Sequence, residues 1–262
     1  MLVENKSGAG GSIGTAAVAR AKPDGYTLML GTSSQLVMNV PVYTNLGFSI
    51  ETDIVSVALL SRSRLVLLAK KDFPATNVKE LIAIAKQRGD SLNYGTSGPG
   101  GIIHISTEKF LADADIKIPP IHYRGSAPAF QALIAGEVDI LIDGTINAGQ
   151  HIKTGAVRGL AISDRRSSLI PDLATFKEQG LDHSDSYTWN SIMAPKDTPR
   201  PIIDKLNVVI NEALKTPLLT DYIQQSDAAN LVGSTPESTD AFWRNELRIW
   251  TPLIKKLNII PT

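Results

Sequence analysis

Residues 92–101 read LNYGTSGPGG, and this stretch carries the pattern that decides the fold. A short apolar run at 92–94 passes directly into glycines and small polar residues, which open a segment of helical character. The apolar runs at 26–30 and 138–142 end in the same way, as do residues 122–125. Strands that alternate with helices in this manner predict mostly parallel sheets that helices cover on both faces.

Three further apolar runs, rich in residues that favour strands, predict strands at 55–60, 65–69 and 157–162. A chain of 262 residues is long for one core and sufficient for two lobes of about 100–150 residues each. We therefore predict an α/β fold of two lobes, each a mostly parallel sheet flanked by helices. Lobe 1 is predicted to comprise residues 1–66 and 189–262, and lobe 2 residues 67–188.

Helix starts are predicted at three places. Asn77, with Glu80 three residues later, has the pattern of a capping box. A second helix is predicted to open at Thr198-Pro199, and a third near residues 234–236. On the second helix, five apolar residues are predicted to share one stripe: Ile202, Ile203, Leu206, Val209 and Ile210.

The loops that follow the predicted strands are candidate ligand-binding segments. In open parallel sheets, ligands bind outside the carboxyl ends of the strands, where helix N-termini offer free N–H groups to an anion. For any one of these loops taken alone, an ordinary N-cap or a tight turn is the favoured interpretation. Their recurrence favours a carboxylate or phosphate site. The candidate residues are Gly31, Thr32, Ser33, Thr96, Ser97, Gly98, Gly100, His104, Tyr123, Gly125, Ser126, Asp143 and Thr145.

Composition and motif spacing exclude several other classes of site. The 26 basic residues balance the 26 acidic ones and form no nucleic-acid footprint, and the chain has no cysteine. The glycine-rich run at 8–14 lacks the preceding strand that a dinucleotide-binding fingerprint requires, and no Gly-Lys-Ser/Thr phosphate loop is present. The four histidines, His104, His122, His151 and His183, are scattered. We predict neither a metal nor a cofactor.

Two alternatives to a binding protein stay open at this point. One is a hydrolase that uses Ser97 or Ser126 with His104, although residues 95–98 only approximate a nucleophile elbow. The other is the effector-binding domain of a transcription regulator. For His104, a structural role in which it bonds a backbone carbonyl of the neighbouring loop is favoured over catalysis. Ser126 is predicted to cap the helix that follows it, and Asp143 to be either a turn residue or a ligand contact.

Several blocks of the sequence resemble the tripartite tricarboxylate transporter substrate-binding proteins, also called the Bordetella uptake gene receptors. The resemblance covers essentially the whole chain. It implies a type II periplasmic-binding fold of two α/β lobes joined by two crossovers. It also implies a carboxylate held by backbone N–H groups, hydroxyls and waters, without a buried arginine clamp. The blocks are residues 3–14, 21–28, 92–95, 122–129, 136–139, 152–161, 194–195 and 198–199.

The resemblance implies an extracytoplasmic, periplasmic solute-binding protein without enzymatic activity. Its ligand would be a di- or tricarboxylate, an aromatic acid or an amino acid, which it would deliver to the membrane permease subunits of the transporter. We expect a monomer that binds no nucleic acid. Family members usually begin with a leader, a strand and a first helix before the block at 3–14. Because this chain opens directly on that block, we expect lobe 1 to have an incomplete sheet.

Overall fold

A computed structural model describes residues 1–6, 8–43, 46–88, 91–182, 184, 186–226 and 230–259. The chain divides into two compact units. Unit 1 comprises Met1–Arg62, Trp189–Tyr222 and Asn230–Thr262, and unit 2 comprises Ser63–Thr188 and Ile223–Ala229. The lobe limits predicted from the sequence, after residues 66 and 188, stay a prediction.

Unit 1 is built on a small sheet in which β1 pairs antiparallel with β7, β7 lies beside β2, and β2 pairs antiparallel with β8. Its core includes Trp189 and Trp243, both fully buried, and the packed cluster of Val57, Ala194 and Ile203. The elements that lie wholly or partly in unit 1 are a 3-10 turn Ala9–Gly11, α1 Ser12–Ala19, β1 Met29–Thr32, a π-helix Ser34–Met38, α2 Asn39–Val42, α3 Ile50–Asp53, β2 Ile54–Lys70, β7 Tyr187–Pro195, α8 Arg200–Ala213, α9 Pro217–Ser226, β8 Asn230–Leu231 and α10 Pro236–Lys256.

Unit 2 contains a larger sheet with the strand order β6-β2-β5-β3-β4. Leu67 and Leu68 of β2, Tyr94 of β3 and Phe110 of the helix after it are fully buried in its core. Besides the second half of β2, the unit holds α4 Val78–Arg88, β3 Tyr94–Thr96, α5 Ile102–Asp113, β4 Pro120–His122, α6 Ser126–Ala135, β5 Ile140–Gly144, α7 Thr145–Lys153, β6 Val157–Ile162 and a 3-10 turn Lys177–Gln179.

The predicted α/β class is confirmed, but the sheets are mixed rather than mostly parallel. Strand β3 pairs in parallel with β4 and β5, whereas β2 pairs antiparallel with β5 and β6. Strand β2 enters unit 2 directly from unit 1, so no strand–helix–strand crossover within unit 2 sets its direction. Mostly parallel sheets, as predicted, would require every strand to be reached by such a crossover.

The strands predicted at 55–60 and 65–69 are one continuous strand. The polar residues 61–64 lie outside both predicted strands. Ser61 and Arg62 instead continue the ladder, because they pair with Leu231 and Asn230 of β8. Backbone hydrogen bonding therefore maintains the strand where its apolar pattern lapses.

Capping hydrogen bonds form at two of the predicted helix starts. At α4, Asn77 Oδ1 accepts from the N–H of Glu80 at 2.9 Å, but the Glu80 carboxylate bonds the N–H and hydroxyl of Thr76 rather than closing the box on Asn77. At α10, Thr235 and Ser238 form a complete capping box.

On α8, Val209 of the predicted stripe is 54% exposed, while Ile203 is buried. Among the described residues, no helix combines the length and apolar character that a membrane span requires.

Candidate functional site

Three strand-to-helix junctions lie at one edge of the unit 2 sheet. Strands β4, β3 and β5 are neighbours and run parallel, so their carboxyl ends lie at the same edge. A loop leads from β3 to α5 and from β4 to α6, and β5 passes directly into α7. We call residues 96–101, 122–126 and 143–145 the loop edge.

The helices that start at the loop edge have no side-chain caps at their N-termini, although the Asp143 carboxylate accepts from the Gly144 N–H at the start of α7. Their N-caps are Gly101, Gly125 and Gly144, none of which supplies a side-chain cap, and none of the three helices has an acidic residue in its first turn. The partial positive charge of a helix N-terminus favours an anion. The loop edge therefore has the electrostatic character that a carboxylate requires.

Within the β3–α5 loop, two backbone N–H groups are hydrogen-bonded to side chains. The Gly98 N–H donates to Thr96 Oγ1 at 3.1 Å, and the Gly100 N–H donates to His104 Nδ1 at 3.1 Å. Both glycines have positive φ, at 123° and 76°, so their backbone conformation favours glycine. These two predicted ligand donors are thus already used by the protein itself.

His104 lies on the first turns of α5 and is 6% exposed. Burial, with a smaller contribution from the neighbouring His122 ring whose centroid lies 4.9 Å away, lowers the pKa of His104 to about 4. The predicted partner was a backbone carbonyl, and this detail is wrong, because the partner is the N–H of Gly100. Since Nδ1 accepts, the neutral ring carries its proton on Nε2, which lies 3.8 Å from Glu108 Oε1.

Asp143, at the end of β5, is 4% exposed and accepts from three donors. These are the Ser126 hydroxyl at 2.7 Å, the Gly144 N–H at 2.6 Å and the Asn147 amide at 3.5 Å. Burial raises the pKa of the Asp143 carboxyl, and the three hydrogen bonds oppose that rise. Asn147 was missed from the sequence, although its position four residues after Asp143 was an available signal.

Ser126 does not cap α6 as predicted. Gly125 is the N-cap, and Ser126 is the first helical residue. The Ser126 hydroxyl points its hydrogen at Asp143, whose carboxylate is a stronger acceptor than a neighbouring backbone group. The hydroxyl oxygen of Ser126 therefore keeps lone pairs as its remaining hydrogen-bonding capacity.

The other predicted residues of unit 2 also lie at the loop edge. The Tyr123 N–H donates to the Thr96 carbonyl at 2.9 Å, which ties the β4 loop to β3. A Cβ placed on Gly98 would lie 3.6 Å from the Tyr123 carbonyl, so these two loops are in contact. Ser97 is half-buried, whereas Thr145, the first residue of α7, is fully buried.

The remaining three candidates, Gly31, Thr32 and Ser33, lie in unit 1 at the end of β1. Both the N–H and the hydroxyl of Thr32 donate to Gln35 Oε1, at 2.9 and 3.0 Å. Ser33 is fully buried. Gln35 was not identified from the sequence, where a glutamine in an apolar segment carries no distinguishing signal. That the unit 1 and unit 2 residues act on one ligand stays a prediction.

No group of three or more His, Asp or Glu side chains that could hold a metal is found in the part of the chain that the structure describes, and His183 lies outside that part. Unit 2 also has two cavities, of about 390 and 550 Å³. Neither is lined by a candidate residue. The first is bounded by α5 and residues 116–119, and the second by α7, β6 and residues 169–174.

Comparisons with known proteins follow from the sequence and from the fold. Residues 1–259 match the family described as "Tripartite tricarboxylate transporter family receptor". The chain is 35% identical over 223 residues to a protein in the TAR-I ttuE-ttuC' intergenic region of Agrobacterium vitis, which covers 84% of this chain and 64% of that protein's length. It is 32% identical to the BugT protein of Bordetella pertussis, with 98% of this chain and 79% of that one covered.

Three solved structures are similar over nearly the whole chain. The periplasmic binding protein BugD is 31% identical with a TM-score of 0.92, covering 100% of this chain and 88% of its own. The R. palustris protein Rpa4515 with adipate is 30% identical with a TM-score of 0.93, covering 100% and 87%. MatC from Rhodopseudomonas palustris, with bound malate, is 28% identical with a TM-score of 0.88, covering 94% and 85%. The periplasmic-binding fold predicted from the sequence is confirmed by this likeness.

Proposed function

This chain belongs to the tripartite tricarboxylate transporter receptor family, and we propose that it captures a small dicarboxylate in the periplasm for delivery to a membrane permease. The observation that carries the proposal is the loop edge, where three uncapped helix N-termini start side by side. Adipate in Rpa4515 and malate in the MatC protein support a dicarboxylate as the ligand.

Hydrogen-bond donors at the loop edge support a carboxylate in particular. Arg124 in the same edge is an exposed cation, whereas Thr96 Oγ1 is engaged by the Gly98 N–H and by His122 Nδ1, at 3.1 and 2.7 Å. No clamp by a buried arginine is invoked, because helix N-termini and hydroxyls are sufficient donors for a carboxylate.

The hydrolase alternative finds less support in the contacts. A serine nucleophile needs a base within hydrogen-bonding reach. The Ser126 hydroxyl donates to Asp143, and His104 Nδ1 accepts from Gly100, so each group is engaged elsewhere. We propose binding without turnover. No observation favours the regulator alternative.

The test is a binding screen on the purified chain by thermal shift, followed by calorimetry. Adipate and malate are the probes, acetate and phosphate are the controls, and a simple ester tests for turnover. A dicarboxylate at 100 times its Kd adds about 2.7 kcal/mol of stability, which raises Tm by several degrees. Acetate, which lacks the second carboxylate, should bind at least about tenfold more weakly. Ester hydrolysis without any shift from dicarboxylates would contradict the proposal.

A further inference from the structure

Side-chain hydrogen bonds hold the backbone of the β3–α5 loop. It contains Gly98, Gly100 and Gly101, and glycine has the widest backbone freedom of all residues. Two side chains fasten it: Thr96 at the Gly98 N–H and His104 at the Gly100 N–H. Gly100 directly precedes Gly101, the N-cap of α5. The His104 bond therefore holds the residue that leads into the helix N-terminus.

The position of His104 suits an acceptor that must not move. The ring is enclosed by Tyr94 from β3, with centroids 6.2 Å apart, and by His122 from β4, with centroids 4.9 Å apart. Its far nitrogen faces Glu108 on its own helix, and the Tyr94 hydroxyl donates to the same Glu108 oxygen. This enclosure fixes both the ring orientation and the tautomer that leaves Nδ1 free to accept.

We propose that His104 is a positioning residue for carboxylate capture, which acts through the Gly100 N–H and contacts no ligand atom. The role rests on the proposed function, since the geometry it preserves is that of the α5 N-terminus at the loop edge. Without the Nδ1 acceptor, the three glycines would sample other backbone conformations, and the α5 N–H groups would lose their common direction. Each binding event would then have to order the loop first, which weakens affinity.

Two substitutions of His104 distinguish the loss of the hydrogen-bond acceptor from the loss of the imidazole ring. In His104→Asn, the side-chain amide oxygen takes the place of Nδ1 and can accept from Gly100. In His104→Gln, the amide lies one carbon farther out, where it replaces Nε2 and cannot reach the Gly100 N–H. Neither side chain titrates, and both are polar. The matched control is His151→Asn on α7, where the ring packs on Phe130 with centroids 4.9 Å apart.

The first readout is exchange of the Gly100 amide hydrogen at neutral pH, followed by NMR without any ligand. We expect strong protection in the wild type, protection within about threefold of it in His104→Asn and in the His151→Asn control, and at least about tenfold less in His104→Gln. Circular dichroism confirms that each variant is folded. Equal protection of Gly100 in the Asn and Gln variants overturns the positioning role, whether both keep it or both lose it.

The second readout is the Kd for adipate. We expect His104→Asn to bind within about threefold of the wild type and His104→Gln to bind at least about tenfold more weakly. Equal affinities in the two variants, with Gly100 protection lost only in His104→Gln, would overturn the link to binding. If the wild type binds no dicarboxylate, the proposed function fails, while the amide exchange still decides whether His104 positions the loop.

Discussion

His104 is required in its neutral form by the fold, because protonation would place an Nδ1–H against the Gly100 N–H. The pKa of His104 is lowered to about 4 in the folded chain, from an unfolded value near 6.5. A group whose folded pKa is lowered contributes stability above its unfolded pKa, and that stability is lost as pH falls towards the folded value. The relevant window is therefore about pH 6.5 to 4.

We predict that His104→Asn flattens the acid side of the stability profile. In that window His104 contributes a loss of up to about 1.4 kcal/mol per pH unit in the wild type, and Asn contributes none. Urea unfolding at pH 7, 6 and 5 measures the free energy of unfolding for both proteins. Parallel profiles would show that the neutral imidazole is not required, and His151→Asn, which removes the ring that packs on Phe130, is the matched control.

Asp143 behaves in the opposite sense. Burial raises the pKa of Asp143, and a group with a raised folded pKa contributes stability below its unfolded pKa that is lost as pH rises. At neutral pH its buried charge therefore costs stability, although three protein donors partly offset the cost.

We predict that Asp143→Asn leaves the free energy of unfolding at pH 7 unchanged or higher by about 1 kcal/mol. The amide oxygen can still accept from Gly144, and the charge is removed. The advantage should disappear below the ordinary pKa of aspartate, where the wild-type carboxyl is itself protonated. For adipate, which has no amine, affinity should hold. A ligand that bears an amine should instead lose about 2–5 kcal/mol of binding, because its ammonium would pair with the Asp143 charge. Calorimetry measures both affinities, and a clear loss for adipate would contradict the prediction.

Strand β1 packs closely against its neighbours at Gly31, where little room is left for a side chain. Gly31 faces Leu36 of the π-helix and Ser191 and Met193 of β7, its antiparallel partner. A Cβ on Gly31 would lie 2.8 Å from Leu36 Cδ1 and 3.1 Å from Ser191 Oγ. The sequence marked Gly31 as a candidate ligand contact, and the structure adds a packing reason for its identity.

We predict that Gly31→Ala destabilises the protein by about 1–3 kcal/mol, because the added methyl overpacks the contact of β1 with β7. The matched control is Gly144→Ala at the end of β5, where an added Cβ meets nothing within 4 Å and φ is −70°. Chemical denaturation of both variants measures the difference. If Gly31→Ala is as stable as Gly144→Ala, the contact with β7 adapts at no cost.

At the scale of the whole molecule, balanced charge and the absence of a basic cluster direct attention to small ligands rather than polyanions. The candidate residues divide between unit 1 and unit 2. The dicarboxylate screen described above uses the whole chain and so includes both groups of candidate residues.

Much of this protein was determined by its sequence alone. Several strands and helices, the polar residues after β3, β4 and β5, and the family were recognisable, because alternation of apolar runs, glycines and hydroxyls is a local property of the chain. Strand β7, Tyr187–Pro195, was not predicted. The strand predicted at 157–162 matches β6 in both limits. The predicted strand limits were wrong where backbone pairing continues a strand beyond its apolar residues, as at Ser61 and Arg62 of β2.

Only the tertiary structure decided which groups at the loop edge are free and which are engaged. Gly100 bonds His104, Ser126 bonds Asp143, and Thr32 bonds Gln35. Such partners depend on side-chain directions and on strands brought together from distant parts of the chain. The direction of β2 in unit 2 was decided in the same way, since an antiparallel neighbour is chosen by packing and not by the residues of the strand itself.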